Sequence, residues 1–286
     1  MRRRELLQFA SLAALFPAAR AAAPDATIRK ILYFPRSAGF EHSVVHRNGN
    51  ELSHSEKNLI EMGRRAGFEV ECTKDGRVFD GDLGQYDAIA FYTTGDLTGT
   101  AKDGSPAMTA KGKQKLLDAI AAGKGFVGFH SATDTFHSAD QTRPDPYIAM
   151  LGGEFIGHGE QQEASLLIAA PLPILGSLGM GEGVAFTDEW YTFKNFAGDL
   201  HVFLVQETKM MKGAAYRRPD FPSTWARMHG KGRVFYTALG HREDIWTNPF
   251  FQAIALGGLA WVTGKIEVDI RPNIDQVTPH ASQLAA

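Results

Sequence analysis

Gly125-Phe126-Val127-Gly128-Phe129-His130-Ser131-Ala132 is the stretch that decides the fold. Its first five residues are apolar or glycine without alternation, as in a strand covered on both faces. They run into a small-x-polar-x-small turn. There Gly128 and Ala132 let the backbone bend sharply, and His130 is expected to stand exposed at the apex. Just upstream, residues 110–122 place Leu116, Leu117 and Ile120 on one helical face, and Gly123 ends the helix. Further back, Ala88-Ile89-Ala90-Phe91-Tyr92 is a second wholly apolar run, predicting a strand over 88–93. Before it come strands at 28–34 and 68–73, separated by a helix. Ser53-x-x-Glu56 opens that helix as a capping box, Leu52, Leu59, Ile60 and Gly63 form its inner face, and Gly67 stops it. Strand, helix, strand, helix at this spacing predicts an α/β fold, with a mostly parallel central sheet and helices on both faces.

The second half is less regular. Residues 145–151 read as a short helix and 163–169 and 202–206 as strands. Residues 225–228 and 234–238 are two further strands, with Gly230-Lys231-Gly232 turning between them. Residues 249–262 form a closing helix that is apolar almost all round and so packs deep. No repeat, low-complexity linker or charge block marks a boundary. The expected organisation is a leader over 1–23, one domain over 28–264 and a tail over 265–286.

The leader reads Arg2-Arg3-Arg4-Glu5-Leu6-Leu7, then an apolar run from Phe9 to Phe16, then alanines around Arg20. A basic start, a short apolar stretch and an A-x-A-like end describe a signal peptide. The arginines fit twin-arginine export, although an ordinary secretory signal can also carry them. The apolar run falls short of the ~20 residues that a membrane span needs. A periplasmic or secreted protein with no stable membrane insertion is expected. Removing residues 1–21 takes away four arginines and one glutamate, which leaves 26 basic against 31 acidic side chains. No basic run survives to track phosphates, so nucleic acid is a poor partner. A homo-oligomer remains open.

The lone cysteine, Cys72, sits in Phe68-Glu69-Val70-Glu71-Cys72. Alternation turns Phe68, Val70 and Cys72 to the core, so the thiol is expected to be a small buried hydrophobe with no role in chemistry.

In open α/β sheets, ligands bind beyond the carboxyl ends of the strands. Three histidines fall there: His42 after the first strand, His130 after the fourth, and His241 after Val234–Gly240. Any one of them alone reads equally well as a histidine satisfied by hydrogen bonds. Three at equivalent strand ends point to a shared site. His130 at the elbow suits general acid/base work or metal ligation, and Ser131 sits one place past the apex for a nucleophile. Asp188-Glu189-Trp190-Tyr191 sets acids beside aromatics, as a sugar site does; a surface acid beside two core rings is the plainer alternative. His158, between Gly157 and Gly159, reads as a turn or a further loop ligand. Arg227 and Arg242 suit orienting or pairing acids rather than reacting. His42, His130, His241 and Glu189 carry the right atoms for a divalent metal such as zinc, but no local spacing of the H-x-x-x-H or C-x-x-C kind specifies one.

Taken in order, Phe40-Glu41-His42, Gly128-Phe129-His130-Ser131-Ala132, Asp188-Glu189-Trp190-Tyr191 and Gly230–His241 resemble the trehalose-utilisation (ThuA-like) family, from about Ile31 to Gly264. That resemblance implies a flavodoxin-like sandwich similar to the class I glutamine amidotransferases. Those enzymes carry a catalytic cysteine at the elbow. His130 stands there instead, which argues against glutamine hydrolysis. The resemblance further implies a small-molecule carbohydrate as partner, with trehalose or an oxidised 3-keto glycoside as the substrate class, and hydrolysis, elimination or isomerisation as the reaction. In that reading His130 is the principal acid/base and His42 the second. Glu189 holds hydroxyls or acts as a base, Tyr191 positions the sugar, and His241 polarises an oxygen or binds metal. Trp190, Asp188, Arg242 and Phe40 contact substrate. The alternative is a non-catalytic periplasmic sugar-binding or accessory protein.

Overall fold

The computed structural model describes residues 28–139, 143–172 and 182–285. The leader over 1–23 lies outside the described residues. Among those described, no helix is long and apolar enough to cross a membrane.

The first half runs β1 (Arg29–Phe34), α1 (His54–Ala66), β2 (Phe68–Cys72), β3 (Ala88–Phe91), α2 (Ala110–Ala121), β4 (Gly125–Phe129) and α3 (Pro146–Leu151). The second runs β5 (Glu154–His158), β6 (Gln162–Ile168), β7 (Gly183–Asp188), β8 (Tyr191–Lys194), β9 (His201–Gln206), β10 (Phe221–His229), β11 (Gly232–Thr237), α4 (Glu243–Thr247), α5 (Pro249–Val262) and α6 (Ile274–Val277). Nine strands form one sheet in the order β2-β1-β3-β4-β11-β10-β9-β6-β7, and β5 pairs with β8 separately.

Period-two alternation divides the sheet residues between two cores. Ile31, Tyr33, Ala90, Val127, Phe129 and Phe235 face α1 and α5. Leu32, Phe34, Ile89, Phe91, Phe126 and Tyr236 face α2, α3 and α6. Helices thus cover both faces. The capping box is in place on α1. Ser53 Oγ accepts from the Glu56 amide and the Glu56 carboxylate accepts from the Ser53 amide; Gly67 closes the helix at φ +74°.

The sheet is mixed, which corrects the expectation of a mostly parallel one. β2, β1, β3, β4 and β11 run parallel, whereas β11, β10, β9, β6 and β7 pair antiparallel in succession. The physical reason is connection length. A tight turn over residues 230–231 joins β10 to β11, and such a turn can only reverse the chain. Gly230 holds φ +59° there, and a Cβ on it would lie 2.6 Å from the Ala121 carbonyl oxygen. The segments around β5, β7 and β8 are too short and too interrupted for period counting, and they are strands as well. The tail packs back on β9, with the Asn273 side chain bonded to both the amide and the carbonyl of Val202.

Candidate active site

Each parallel strand delivers its loop to one edge. Five strand steps of ~4.8 Å would leave β7 roughly 24 Å from β4 in a flat sheet. Yet Glu189, the residue after β7, comes within 3.5 Å of His130, the residue after β4. The antiparallel half therefore curls back over the edge, and Asp188 ties it there. This carboxylate is fully buried; Oδ1 accepts from the Glu189 amide and Oδ2 from the Gly240 amide, both at 2.9 Å. Burial pushes its carboxyl upward against the pull of His130. With both oxygens engaged by backbone, Asp188 ties the Glu189 loop to the His241 loop.

His130 is fully buried, not exposed at an apex as expected. Tyr236 and Gly128 explain why. The Tyr236 hydroxyl donates to the His130 carbonyl at 2.6 Å, and the elbow at φ +40° turns the ring inward under the curled half. A Cβ at Gly128 would lie 3.0 Å from the Tyr236 ring and 3.1 Å from Ala132 Cβ, so the elbow needs its small residues. Positive φ at a non-glycine residue is strain that surrounding structure must hold in place. The Ala238 carbonyl lies 2.7 Å from His130 Nδ1. A carbonyl only accepts, so in the neutral ring Nδ1 carries the proton and the Nε2 lone pair faces the site.

His241 Nδ1 lies 3.1 Å from Glu189 Oε2 and 3.3 Å from His130 Nε2. Its other nitrogen faces the Gln161 amide nitrogen at 2.9 Å, while Gln161 Oε1 accepts from Arg242 at 3.1 Å. Arginine only donates, which fixes the Gln161 amide and makes His241 Nε2 an acceptor. The His241 proton then sits on Nδ1, aimed at Glu189. Burial raises the Glu189 carboxyl, but the neighbouring His130 and His241 imidazoles override it and hold the group far below the usual carboxylate range. Its Oε1 lies 3.3 Å from Nδ1 of His158, at the end of β5.

His42 is buried, with Nε2 at 3.3 Å from the Tyr191 hydroxyl. Burial first, then His130 and His241, push its pKa well down, so the ring is neutral. Its Nδ1 is buried and finds no hydrogen-bond partner among the described residues. Buried polar atoms are rarely left so, and the atom is available to a ligand. The Tyr191 ring packs, tilted, at 4.1 Å between centroids on both His130 and Phe155, and burial raises its hydroxyl well above the ordinary value.

Each of His42, His130, Glu189 and His241 offers a ligand atom, all within 4.8 Å of one another. A tetrahedral zinc with bonds of ~2.1 Å sets its ligand atoms about 3.4 Å apart. The three measured separations among His130 Nε2, His241 Nδ1 and Glu189 Oε2 are 3.1, 3.3 and 3.5 Å. Such a site would require the His241 Nδ1 proton to leave. Chemically, the cluster presents one imidazole lone pair, one imidazole N–H on a firmly ionised carboxylate, and one neutral imidazole beside a phenol.

Other expected contacts fall differently. Trp190 is buried, its indole N–H donating to the Gln162 carbonyl at 2.7 Å, so its ring packs the core and offers no stacking face. Phe40 is 64% exposed, with its ring 5.0 Å from His42. Of the Trp190 and Phe40 rings, Phe40 is the one with an open face. Arg242 sits at the rim, paired with Asp244 and Gln161. Arg227 pairs with Asp199. Cys72 is half-buried, because β2 is the edge strand. Burial pushes its thiol up to about 12. Ser131 Oγ is buried and unpartnered among the described residues. His158, which the sequence left open as a turn or a further loop ligand, reaches Glu189 from the end of β5, a strand whose pattern is too short to read.

Two solved structures share this architecture. A ThuA-like protein from Bacteroides uniformis aligns with a TM-score of 0.61 at 17% identity, over 85% of this chain and 94% of that one. A ThuA-like protein from Parabacteroides merdae aligns with a TM-score of 0.58 at 17% identity, over 85% and 92%. At such identity the likeness speaks for the fold alone. No curated protein sequence matches significantly. The family model described as trehalose utilisation, ThuA, matches residues 30–262, and the chain belongs to that family.

Proposed function

We propose that this ThuA-family chain is an exported enzyme of carbohydrate metabolism. It acts on trehalose or a related glycoside, including 3-keto derivatives, by histidine-based acid/base chemistry. The observation that carries the reading is the convergence of His42, His130 and His241 on Glu189 and Tyr191, beside an exposed Phe40. A binder has little use for three converging imidazoles, two of them buried; a proton-transfer site needs them.

In a 3-keto glycoside, the ring proton next to the carbonyl is acidic. The His130 Nε2 lone pair takes that proton. The electron pair forms a carbon–carbon double bond and expels the glycosidic oxygen. The imidazolium so formed on His130, directly or relayed through His42 or His241, gives that proton to the leaving oxygen and returns to the neutral ring, and addition of water completes hydrolysis. Glu189, held ionised, stabilises the imidazolium that forms. Tyr191 and Phe40 place the sugar.

A second reading is favoured by the ligand-atom spacing: a divalent metal such as zinc held by His42, His130, His241 and Glu189. It would supply Lewis-acid polarisation of a sugar oxygen. The test is turnover of oxidised and unoxidised disaccharides by the purified protein, with released glucose measured beside metal content. Sugar binding without turnover would replace the enzyme with the accessory-protein alternative. Activity lost to a chelator and restored by zinc would select the metal reading.

A further inference from the structure

Beyond the histidine cluster, the same sheet edge holds a second concavity of about 420 Å³, within the ~300–1,000 Å³ of small-molecule sites. Asp96 and Thr98 reach it from the loop after β3. Phe136 and His137 reach it from the loop after β4, Lys113 from α2, and Asp145 from the start of α3. The side chains are those that read sugar hydroxyls: two carboxylates, an ammonium, a hydroxyl and an imidazole. Lys113 bonds Asp145 at 2.8 Å and lies 3.8 Å above the Phe136 ring. Phe136 holds φ +53°, the second strained non-glycine residue of this loop after His130.

His137 is fixed on two sides. Its Nε2 lies 2.5 Å from Asp134, and its Nδ1 lies 3.4 Å from Glu154. Glu154 is itself buried and saturated by Ser138 and Asn195, so it anchors the imidazole and leaves the ring's half-exposed face for a ligand. An aromatic path joins the two sites. His137 is 6.4 Å from Phe155, Phe155 is 4.1 Å from Tyr191, and Tyr191 is 4.1 Å from His130. Phe155 is half-buried.

The geometry points to a second-ring subsite. While one sugar reacts at the histidine cluster, the other ring of a disaccharide lies along Phe155 with its hydroxyls in the Asp96–His137–Asp145 concavity. The substrate class is then a disaccharide rather than a simple alkyl glycoside. This inference rests on the carbohydrate reading above.

The experiment compares a 3-keto disaccharide with methyl 3-keto-glucoside on the purified protein, for wild type, His137→Gln and Lys113→Gln. The second variant guards against misfolding, because the pair it breaks is partly exposed and contributes little to stability. Wild type is expected to show a KM about tenfold lower for the disaccharide, and each variant to reduce that advantage to under about twofold. Equal KM values for the two probes in wild type, or an advantage that survives both substitutions, would overturn the subsite while leaving the enzyme reading intact. Failure of both probes to bind or react would overturn both.

Discussion

The two halves of the sheet make unlike contributions. The parallel half, β2-β1-β3-β4-β11, is covered by helices on both faces and supplies all three histidines from the ends of β1, β4 and β11. The antiparallel half supplies the carboxylate from the end of β7, and the separate β5-β8 pair beside it supplies the phenol and His158. Neither half holds a complete site. The base comes from a rigid, doubly covered layer, and the groups that tune it come from strands joined by short reversals. The site exists because Asp188 clamps one half to the other through the Gly240 amide.

The largest effect is expected at His130, where both halves meet. His130→Gln should lower kcat by roughly 10²–10⁴, the worth of a positioned proton-transfer group. Because the ring is fully buried, His130→Ala should also lower the melting temperature, by an amount that His130→Gln largely recovers. If the ring ligates a metal, metal content falls in parallel with activity. Wild-type kcat in a destabilised variant would assign the residue to the core and end its place in the chemistry.

The parallel half has a pH-sensitive anchor of its own. Glu56 is buried in the α1 capping box and paired bidentately with Arg47, on the loop that carries His42. Burial raises its carboxyl, but Arg47 and the Ser53 amide more than compensate, leaving the folded-state pKa below the ordinary 4.5. A depressed pKa contributes stability that is present above the ordinary value and is lost as pH falls toward the folded one. Glu56→Gln should cost about 3–5 kcal/mol at neutral pH, as removal of one partner from a buried pair does. The penalty should shrink below pH ~4.5, where the wild-type carboxylate itself protonates. A penalty independent of pH in urea titrations would mean that the lost side-chain packing, not the charge, sets the cost.

β11, the strand at which the parallel run meets the antiparallel one, packs closely on α2 at Gly232. A Cβ there would lie 2.1 Å from the Ile120 carbonyl oxygen and 2.9 Å from that of Lys124, both backbone atoms that cannot swing aside. Gly232→Ala should therefore destabilise by about 1–3 kcal/mol through overpacking. It should also reduce kcat, since β11 positions His241. A neutral melting temperature would show that α2 can move off β11 more easily than this close approach implies.

The same contrast explains what the sequence made legible. Apolar runs such as 88–92 and 125–129 are long enough to count, and the ends of the strands read at 28–34, 125–129 and 234–238 name His42, His130 and His241. The capping box at Ser53 and the stop at Gly67 are local chemistry and sit where the pattern places them. β5, β7 and β8 are short, and β5 carries a register shift near Gly157 that spoils alternation. Their strand character is a property of partners distant in sequence. Burial at the site was equally non-local. His130 is inside because β7 and β8 return over it, and Trp190 is inside while Phe40 is outside. Composition alone makes either ring a stacking platform.

The smallest effect is expected at Cys72, on the edge strand farthest from the antiparallel half. A fold resembling amidotransferases invites a thiolate mechanism, and this is the only thiol in the chain. Its side chain packs against the core formed by α1 and α5, and burial pushes the thiol up to about 12, so almost none is ionised at neutral pH. None of the groups converging on Glu189 is Cys72. Cys72→Ser should therefore leave kcat and KM within about twofold of wild type and cost roughly 1 kcal/mol, because a hydroxyl replaces a half-buried, weakly polar sulfur. Iodoacetamide should label the native chain slowly and should not inhibit it. Abolished turnover in a folded Cys72→Ser protein would move the chemistry from the junction of the two halves to the outer edge of one, and the histidine-centred reading could not survive it.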